Sequence, residues 1–187
     1  MNAVIRNIIE RRSVRRYDQT RTVSENDLMT ILKAGAYAPS AMNAQAWHFT
    51  AVADAEKLIA LNAAVKEQMG ASDIERNIAR SKDATYNFYY HAPLLIIVSA
   101  SDKAYYPRED AACALENMFL AAASLGLGSC WINQLSNGVS EAPVVRAVLD
   151  KLGVPAANKV YGCAAIGYAS ETSPMKDRAS GVVNIVR

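Results

Sequence analysis

Near the start of the chain, Arg11-Arg-Ser-Val-Arg15 places three guanidinium groups and a hydroxyl within one short stretch. Guanidinium forms bidentate, charge-assisted bonds with phosphate oxygens, and hydrogen bonds to charged groups contribute about 1.5–3 kcal/mol each. Three or four of them would hold a phosphate monoester. The same residues would also serve as a solvated basic face or a subunit salt-bridge surface. A second stretch, Pro39-Ser-Ala-Met-Asn-Ala-Gln-Ala-Trp47, sets the neutral donors and acceptors of Ser40, Asn43 and Gln45 beside a large aromatic. That combination suits a flat heteroaromatic ring with amide edges, although an ordinary turn pinned by Trp47 would look the same. A third, Lys176-Asp-Arg178, is a basic pair in a polar tail, and by itself reads as a solvated arm.

Other chemistries have little to work with. His48 and His91 are the only histidines, and no pair of Cys or His residues has zinc-ligand spacing. A Ser-His-Asp triad would have to use His48, beside Trp47 at a strand start, or His91, just before Ala92-Pro93. There is no Walker A sequence and no G-x-G-x-x-G. Gly126-Leu-Gly128 reads instead as a helix stop.

The elements that must position these residues follow from hydrophobic spacing. Val4, Ile5, Ile8 and Ile9 predict an amphipathic helix over Asn2–Arg11, leading into an extended segment marked by Val14 and Tyr17. Ser24-Glu-Asn-Asp27 resembles a capping box and opens a second helix that Ala38-Pro39 ends. His48–Ala53 reads as a strand. Asp54 caps a third helix through Gln68, with Leu58, Ile59, Leu61 and Val65 inward. Ser72-Asp-Ile-Glu75 opens a shorter polar helix. The polar stretch 70–91 has the character of a lid, with Tyr86-Asn-Phe-Tyr-Tyr90 supplying aromatic walls. Pro93–Ala100 is a continuous apolar run, as expected of a strand covered on both faces.

The longest apolar segment, Glu109–Leu125, is broken only by Glu116, Asn117 and Ser124 within its core. It predicts a helix roughly 25 Å long, buried all round. A membrane span is a poor alternative, because an acid at mid-span costs about 2.5–3.5 kcal/mol. Cys130–Ile132 then reads as a buried strand, Glu141–Leu152 as a helix with Val144, Val145, Val148 and Leu149 inward, and Lys159–Ile166 as a strand. The tail from Ala169 is polar and ends on Val182-Val-Asn-Ile-Val186, a strand well placed to pair with another subunit. The sum is an α+β chain of about six helices around four or five strands.

At 187 residues, one domain is the default. Hydrophobic content of 51% with 20% charged residues fits a soluble globular protein, and a net charge of +2 gives no global sign of nucleic acid. Six arginines lie between Arg6 and Arg21 against only Glu10 and Asp18, so the charge is local. The N-terminus lacks signal-peptide features. Cys113, Cys130 and Cys163 read as reduced core thiols of a cytoplasmic protein.

Taken together and in order, these stretches resemble the flavin-dependent nitroreductase family. The matching elements are Arg11-Arg-Ser-Val-Arg15, Ala38-Pro-Ser-x-x-Asn-x-Gln-x-Trp47, Ala92-Pro-Leu-Leu-Ile-Ile-Val98, the central helix ending in Gly126-Leu-Gly-Ser-Cys-Trp131, and Val160–Gly167. The likeness spans nearly the whole chain.

The resemblance implies a nitroreductase-like α+β fold with a mixed four- to five-stranded sheet, a long central helix buried at a homodimer interface and a C-terminal strand exchanged with the partner. Within one domain spanning 1–187, the 70–91 stretch would be a lid and 169–187 an arm. Two FMN molecules would lie between the subunits. Arg11, Arg12, Ser13 and Arg15 match the family's flavin-phosphate and ring-edge segment. Pro39, Ser40, Asn43 and Gln45 match the loop lent by the other subunit. Trp131, Ile132 and Asn133 match the segment whose backbone lies against the ring, and Lys176 and Arg178 match basic residues that approach the phosphate.

The implied activity is ping-pong transfer of electrons from NADH or NADPH to an electron-poor acceptor such as a nitroaromatic or quinone. Neither nucleic acid nor membrane is expected as a partner. Dehalogenation, flavin breakdown and ring oxidation on the same fold are alternatives, as is a phosphate-binding module without turnover. Two departures stand out: Ala46 replaces the family's usual proline, and Asn133-Gln134 stands where glycine is common.

Overall fold

The computed structural model describes residues 1–171, 174–175 and 177–187. Its helices are α1 (Ala3–Glu10), α2 (Glu25–Ala36), α3 (Ala55–Gly70), α4 (Glu75–Lys82), α5 (Pro107–Ser124) and α6 (Pro143–Lys151). Its strands are β1 (Trp47–Val52), β2 (Leu94–Ser101), β3 (Gly128–Ile132) and β4 (Asn158–Gly167), arranged in the order β1-β2-β4-β3. Every pairing between these strands is antiparallel, so the expected mixed sheet is corrected. The reason lies in the connections. β2 and β3 run the same way and α5 joins them, but β4 is inserted between them and runs against both.

The sheet separates two cores. On one face Ile96, Val98, Ala164 and Ile166 pack with Leu115, Met118 and Phe119 of α5 and Ile31 of α2. On the other, Leu95, Ile97, Cys163 and Ala165 pack with Leu58, Leu61 and Val65 of α3 and with Val145 and Leu149 of α6. Burial on both faces accounts for the unbroken apolar run of β2, where Leu94–Ala100 are all buried. Each such aliphatic side chain contributes roughly 1.5–3 kcal/mol when fully removed from water.

Caps set the helix starts. Ser24 Oγ accepts the Asp27 N–H at 3.1 Å, and Asp54 Oδ1 accepts those of Glu56 and Lys57. The box expected at Ser72 is displaced: Ser72 Oγ accepts the Ile74 N–H within the preceding turn, and Ile74 is the residue at the N-cap of α4. α6 begins at Pro143, with Glu141 in a preceding 3-10 turn.

Three burial expectations are corrected. Ile59 points outward at 64% exposure. α5 buries one face, from Asp110 and Ala111 to Phe119 and Ala122, while Cys113, Glu116 and Ser124 stand exposed on the other. Cys113 is therefore not a core thiol, whereas Cys130 and Cys163 are. α1 buries none of its residues: Val4, Ile5, Ile8 and Ile9 remain 45–66% exposed. The terminal Val182–Val186 makes no strand within this chain, and its apolar residues are 70–88% exposed.

Among the described residues no helix is long and apolar enough to cross a membrane.

The chain between α1 and α2 is fastened to the sheet. Val14 N–H donates to the Ser129 carbonyl at 2.9 Å, and Asp18 N–H donates to Tyr168 at 2.8 Å. Tyr17, buried below these bonds, donates its hydroxyl to the carbonyls of Val14 and Ala165, and burial pushes its pKa far up. The approach to β3 is close because Gly128 has no Cβ; one placed there would lie 2.6 Å from Val14 Cγ2 and 2.8 Å from Val14 Cβ. Val14 is β-branched and cannot easily turn aside. Gly128→Ala is expected to lower stability by about 1–3 kcal/mol, the usual cost of overpacking, as read from urea unfolding midpoints.

Candidate functional site

Fastening residues 13–17 to β3 and to the exit of β4 turns Val14 and Tyr17 inward and leaves Ser13, Arg15 and Arg16 exposed. Arg11 leaves the end of α1 and lies along α5. Its guanidinium carbon is 5.9 Å from the Phe119 ring centroid, and its Nε is 3.8 Å from Glu116 Oε1. That distance is too long for a hydrogen bond. Arg11 Nε is buried without a partner, as is Ser129 Oγ one strand residue from Gly128. Buried donors are nearly always satisfied in folded proteins, so an unpaired guanidinium N–H marks a place where an acceptor is wanted.

Arg15 sits over Tyr90, 5.8 Å from the ring centroid, and close to Cys130. Cys130 and then Tyr90 push the Arg15 pKa up. Burial pushes the Cys130 thiol up, while Arg15 and Arg11 pull it down. The thiol is thus a neutral residue beneath two cations. Arg12 differs from its neighbours: Nη1 donates to the carbonyls of Ile9 and Arg11, both at 2.7 Å, closing the end of α1. It also borders an open cavity of about 600 Å³ shared with Glu10, Ser170 and Glu171.

The next strand residue in this cluster is Trp131, 38% exposed on β3 and packed 5.9 Å from Phe119. Trp131 Nε1–H donates to Asn133 Oδ1 at 2.7 Å. Asn133 N–H in turn donates to Gln134 Oε1 at 3.1 Å, a contact that glycine at these positions could not make. Ile132 is buried in the sheet. Arg11, Ser13, Arg15, Trp131 and Asn133 therefore lie around one edge of the sheet, with Phe119 and Cys130 beneath them. From sequence Tyr90 reads only as part of a lid wall and Cys130 only as a core thiol, and Phe119 is not singled out, because their places beside the arginines depend on packing between distant segments.

The Pro39–Gln45 loop is built elsewhere. Its Ala41 N–H donates to Asp110 Oδ1 at 2.9 Å, in the first turn of α5. Ser40 Oγ accepts the Gln45 N–H, and Gln45 Nε2 donates to Asn43 Oδ1 at 3.2 Å. Met42, Asn43 and Gln45 all have positive φ, between 46° and 55°. For non-glycine residues such φ values are uncommon and need surrounding contacts to hold them. Measured along α5, Asp110 precedes Glu116 and Phe119 by six to nine residues, or roughly 9–14 Å at the helical rise. Among the described residues no hydrogen bond or ion pair joins this loop to the arginine segment. Within one chain the two stretches stand apart.

Arg178 is exposed in the tail and is not brought to the cluster, while Lys176 lies outside the described residues. Asn87, in the stretch before β2, uses Oδ1 to accept the N–H groups of Tyr89 and His91. Phe88 and Tyr89 turn into the core.

The chain is similar in sequence and fold to known proteins. The sequence model described as "Nitroreductase family" matches residues 8–168. A crystal structure of a nitroreductase with bound FMN from Bacteroides fragilis is 48% identical, covers 100% of both chains and superposes with a TM-score of 0.95. A protein of Archaeoglobus fulgidus, provisionally named NADH dehydrogenase/NAD(P)H nitroreductase, is 31% identical over 176 residues, 91% of this chain and 88% of its own. An iodotyrosine deiodinase of Thermotoga neapolitana is 30% identical over 182 residues, 93% and 92% of the two chains.

The Asp110 anchor generates a direct test. Asp110→Ala removes the acceptor for a loop whose backbone is already strained, and is expected to lower stability by about 1–3 kcal/mol. Asp110→Asn, which keeps an acceptor oxygen, should recover most of the loss in the same chemical unfolding measurement.

Proposed function

The chain belongs to the nitroreductase family and is an FMN-dependent NAD(P)H oxidoreductase; from that premise we propose how its own residues build the site and what the site reduces. The observation that carries the reading is the buried, unpartnered Arg11 Nε and Ser129 Oγ beside Arg15 and an open Trp131. The donor set fits FMN: a cluster of guanidinium groups suits its phosphate, and a half-open aromatic edge suits a planar ring.

In this proposal Arg11, Arg12, Ser13 and Arg15 hold the phosphate and the adjoining ring edge. Arg12 does so with the donors that remain after Nη1 has closed α1. Lys176 and Arg178 add charge from the tail. Trp131, Ile132 and Asn133 lay their backbone along the ring, and the Trp131–Asn133–Gln134 hydrogen bonds fix that edge in place. Pro39, Ser40, Asn43 and Gln45 come from a second copy of the chain. The protein is then a homodimer, with α1 and the open face of α5 covered by the partner and Val182–Val186 reaching across to it. Covering an aliphatic side chain such as Val4 or Ile8 contributes in proportion to the apolar area hidden, which gives the half-exposed stripe of α1 a purpose.

FMN, when bound, would supply the redox chemistry between a reduced nicotinamide and the acceptor. The chain's part is orientation and access. Among the described residues the reading needs no side chain as general acid: burial raises the pKa of the Cys130 thiol and makes it a poor proton donor. Donor and acceptor use the same open face in turn, giving a ping-pong cycle, and the proposed acceptors are electron-poor rings such as nitroaromatics and quinones. The likeness to iodotyrosine deiodinase supports a second reading, in which the acceptor is a halogenated phenol.

The purified protein should be yellow and should bleach when NADH or NADPH is added without air; colourless protein that FMN does not reconstitute would contradict the reading. Arg15→Ala should weaken FMN retention by about tenfold or more, the loss expected for one charge-assisted contact. Its unfolding midpoint should stay near that of the parent. Equal flavin content in the two proteins at matched concentration would exclude a phosphate role for Arg15.

A further inference from the structure

Beside the Trp131–Asn133 edge lies a cavity of about 350 Å³, of which the flavin reading uses only the rim at Asn133 and Gln134. One wall is α4, through Arg76, Asn77 and Arg80; the other is the turn after β3, through Asn133, Ser136 and Asn137. No Asp or Glu lines it. Arg76 and Arg80 are four residues apart and so share one face of α4, where like charges repel unless an anion lies between them. The Arg80 guanidinium carbon lies 5.3 Å from the Tyr86 ring centroid. Ser136 supplies an independent sign of a ligand. It is 3% exposed, lines the cavity, and its hydroxyl has no hydrogen-bond partner. The Tyr86 hydroxyl is likewise buried and unpartnered.

We propose that this cavity is the subsite for an anionic group, carboxylate or phosphate, carried by the molecule that exchanges electrons at the flavin. Arg76 and Arg80 supply the charge, and Ser136 Oγ and Asn137 supply neutral donors. The assignment rests on the flavin site described above, because Asn133 belongs to both places. Its Oδ1 holds Trp131 and its backbone meets Gln134 at the cavity wall. In this proposal the molecule at the flavin passes an acidic substituent on its reacting ring, or a phosphate on a linker, past Asn133 into the cavity. Arg76 and Arg80 are specificity determinants in this account, acting on which molecule binds and leaving the transfer step alone.

The test uses the full-length protein loaded with FMN, with flavin content measured first. KM is determined for 4-nitrobenzoate, for uncharged 4-nitrobenzamide, and for NADH and NADPH, in the parent, in Arg76→Gln/Arg80→Gln and in Ser136→Ala. A KM increase of about tenfold or more in the double variant for 4-nitrobenzoate, with 4-nitrobenzamide unchanged, supports the proposal and places the anion on the acceptor. An increase confined to NADH and NADPH supports it and places the anion on the reductant. Inorganic phosphate titrated into labelled protein should shift the backbone amide resonances of residues 76–80 and 136–137 in the parent, and not in the double variant. Unchanged KM values for all four compounds overturn the proposal, whether or not phosphate binds. A chain that takes up no flavin refutes the FMN reading; the phosphate titration then decides the cavity by itself, and no shift overturns the subsite.

Discussion

The short extended segment from Ser13 to Tyr17 depends on one docking event: its backbone joins the start of β3 and the exit of β4, with Tyr17 driven into the core beneath. Arg15 is placed by that event, and Arg11 and Arg12 lead into it from the end of α1. Period-two alternation turns Val14 into the core and Arg15 outward, and Gly128 provides the room for the segment to approach. Loosening the contact would displace Arg15, which lies between the fastened residues Ser13 and Tyr17.

α5 is the ruler of the molecule. Its buried face meets the sheet through Leu115, Met118 and Phe119. It also spaces the two polar elements, holding the Pro39–Gln45 loop at Asp110 and Arg11 at Glu116 and Phe119. A rigid helix between them prevents either element from sliding to the other within one chain. Unmet polar capacity near Arg11 and exposed apolar surface on α1 and the tail are, in the proposed homodimer, two aspects of one incompleteness. A second copy would meet both by bringing its own loop and covering the stripe.

Much of this was legible in the sequence. Strand and helix order followed from hydrophobic spacing, since β2 is apolar throughout and α3 opens on an Asp54 cap. The motif order pointed to the family that the comparisons bear out. What escaped the sequence depends on tertiary partners. The antiparallel pairing of β2 with β4 is a matter of which strand inserts between two others, and composition does not record that. The exposed side of α5 looked like core because Cys113 and its alanine neighbours are apolar wherever they face. Ile59 fitted the helical stripe of α3 and yet points outward. Phe119 and Ser136 carried no local signal, as their roles arise from what lies across the fold. Arg11 and Arg15 were singled out because several guanidinium groups and a hydroxyl in one short stretch suit a phosphate, a signal that survives without coordinates of neighbours.

The central claim is that a working site takes its cations from one chain and its Pro39–Gln45 loop from another. Subunit complementation tests it most directly. One variant carries Arg11→Ala and Arg15→Ala; the other carries Ser40→Ala, Asn43→Ala and Gln45→Ala. Each alone should retain little FMN. Mixed under conditions that exchange subunits, they should form dimers with one intact site and one doubly defective site, so bound flavin should rise toward half the parental level within the mixed dimers. Flavin content that stays at the level of the separate variants, in dimers shown by mass to contain both chains, would contradict the account.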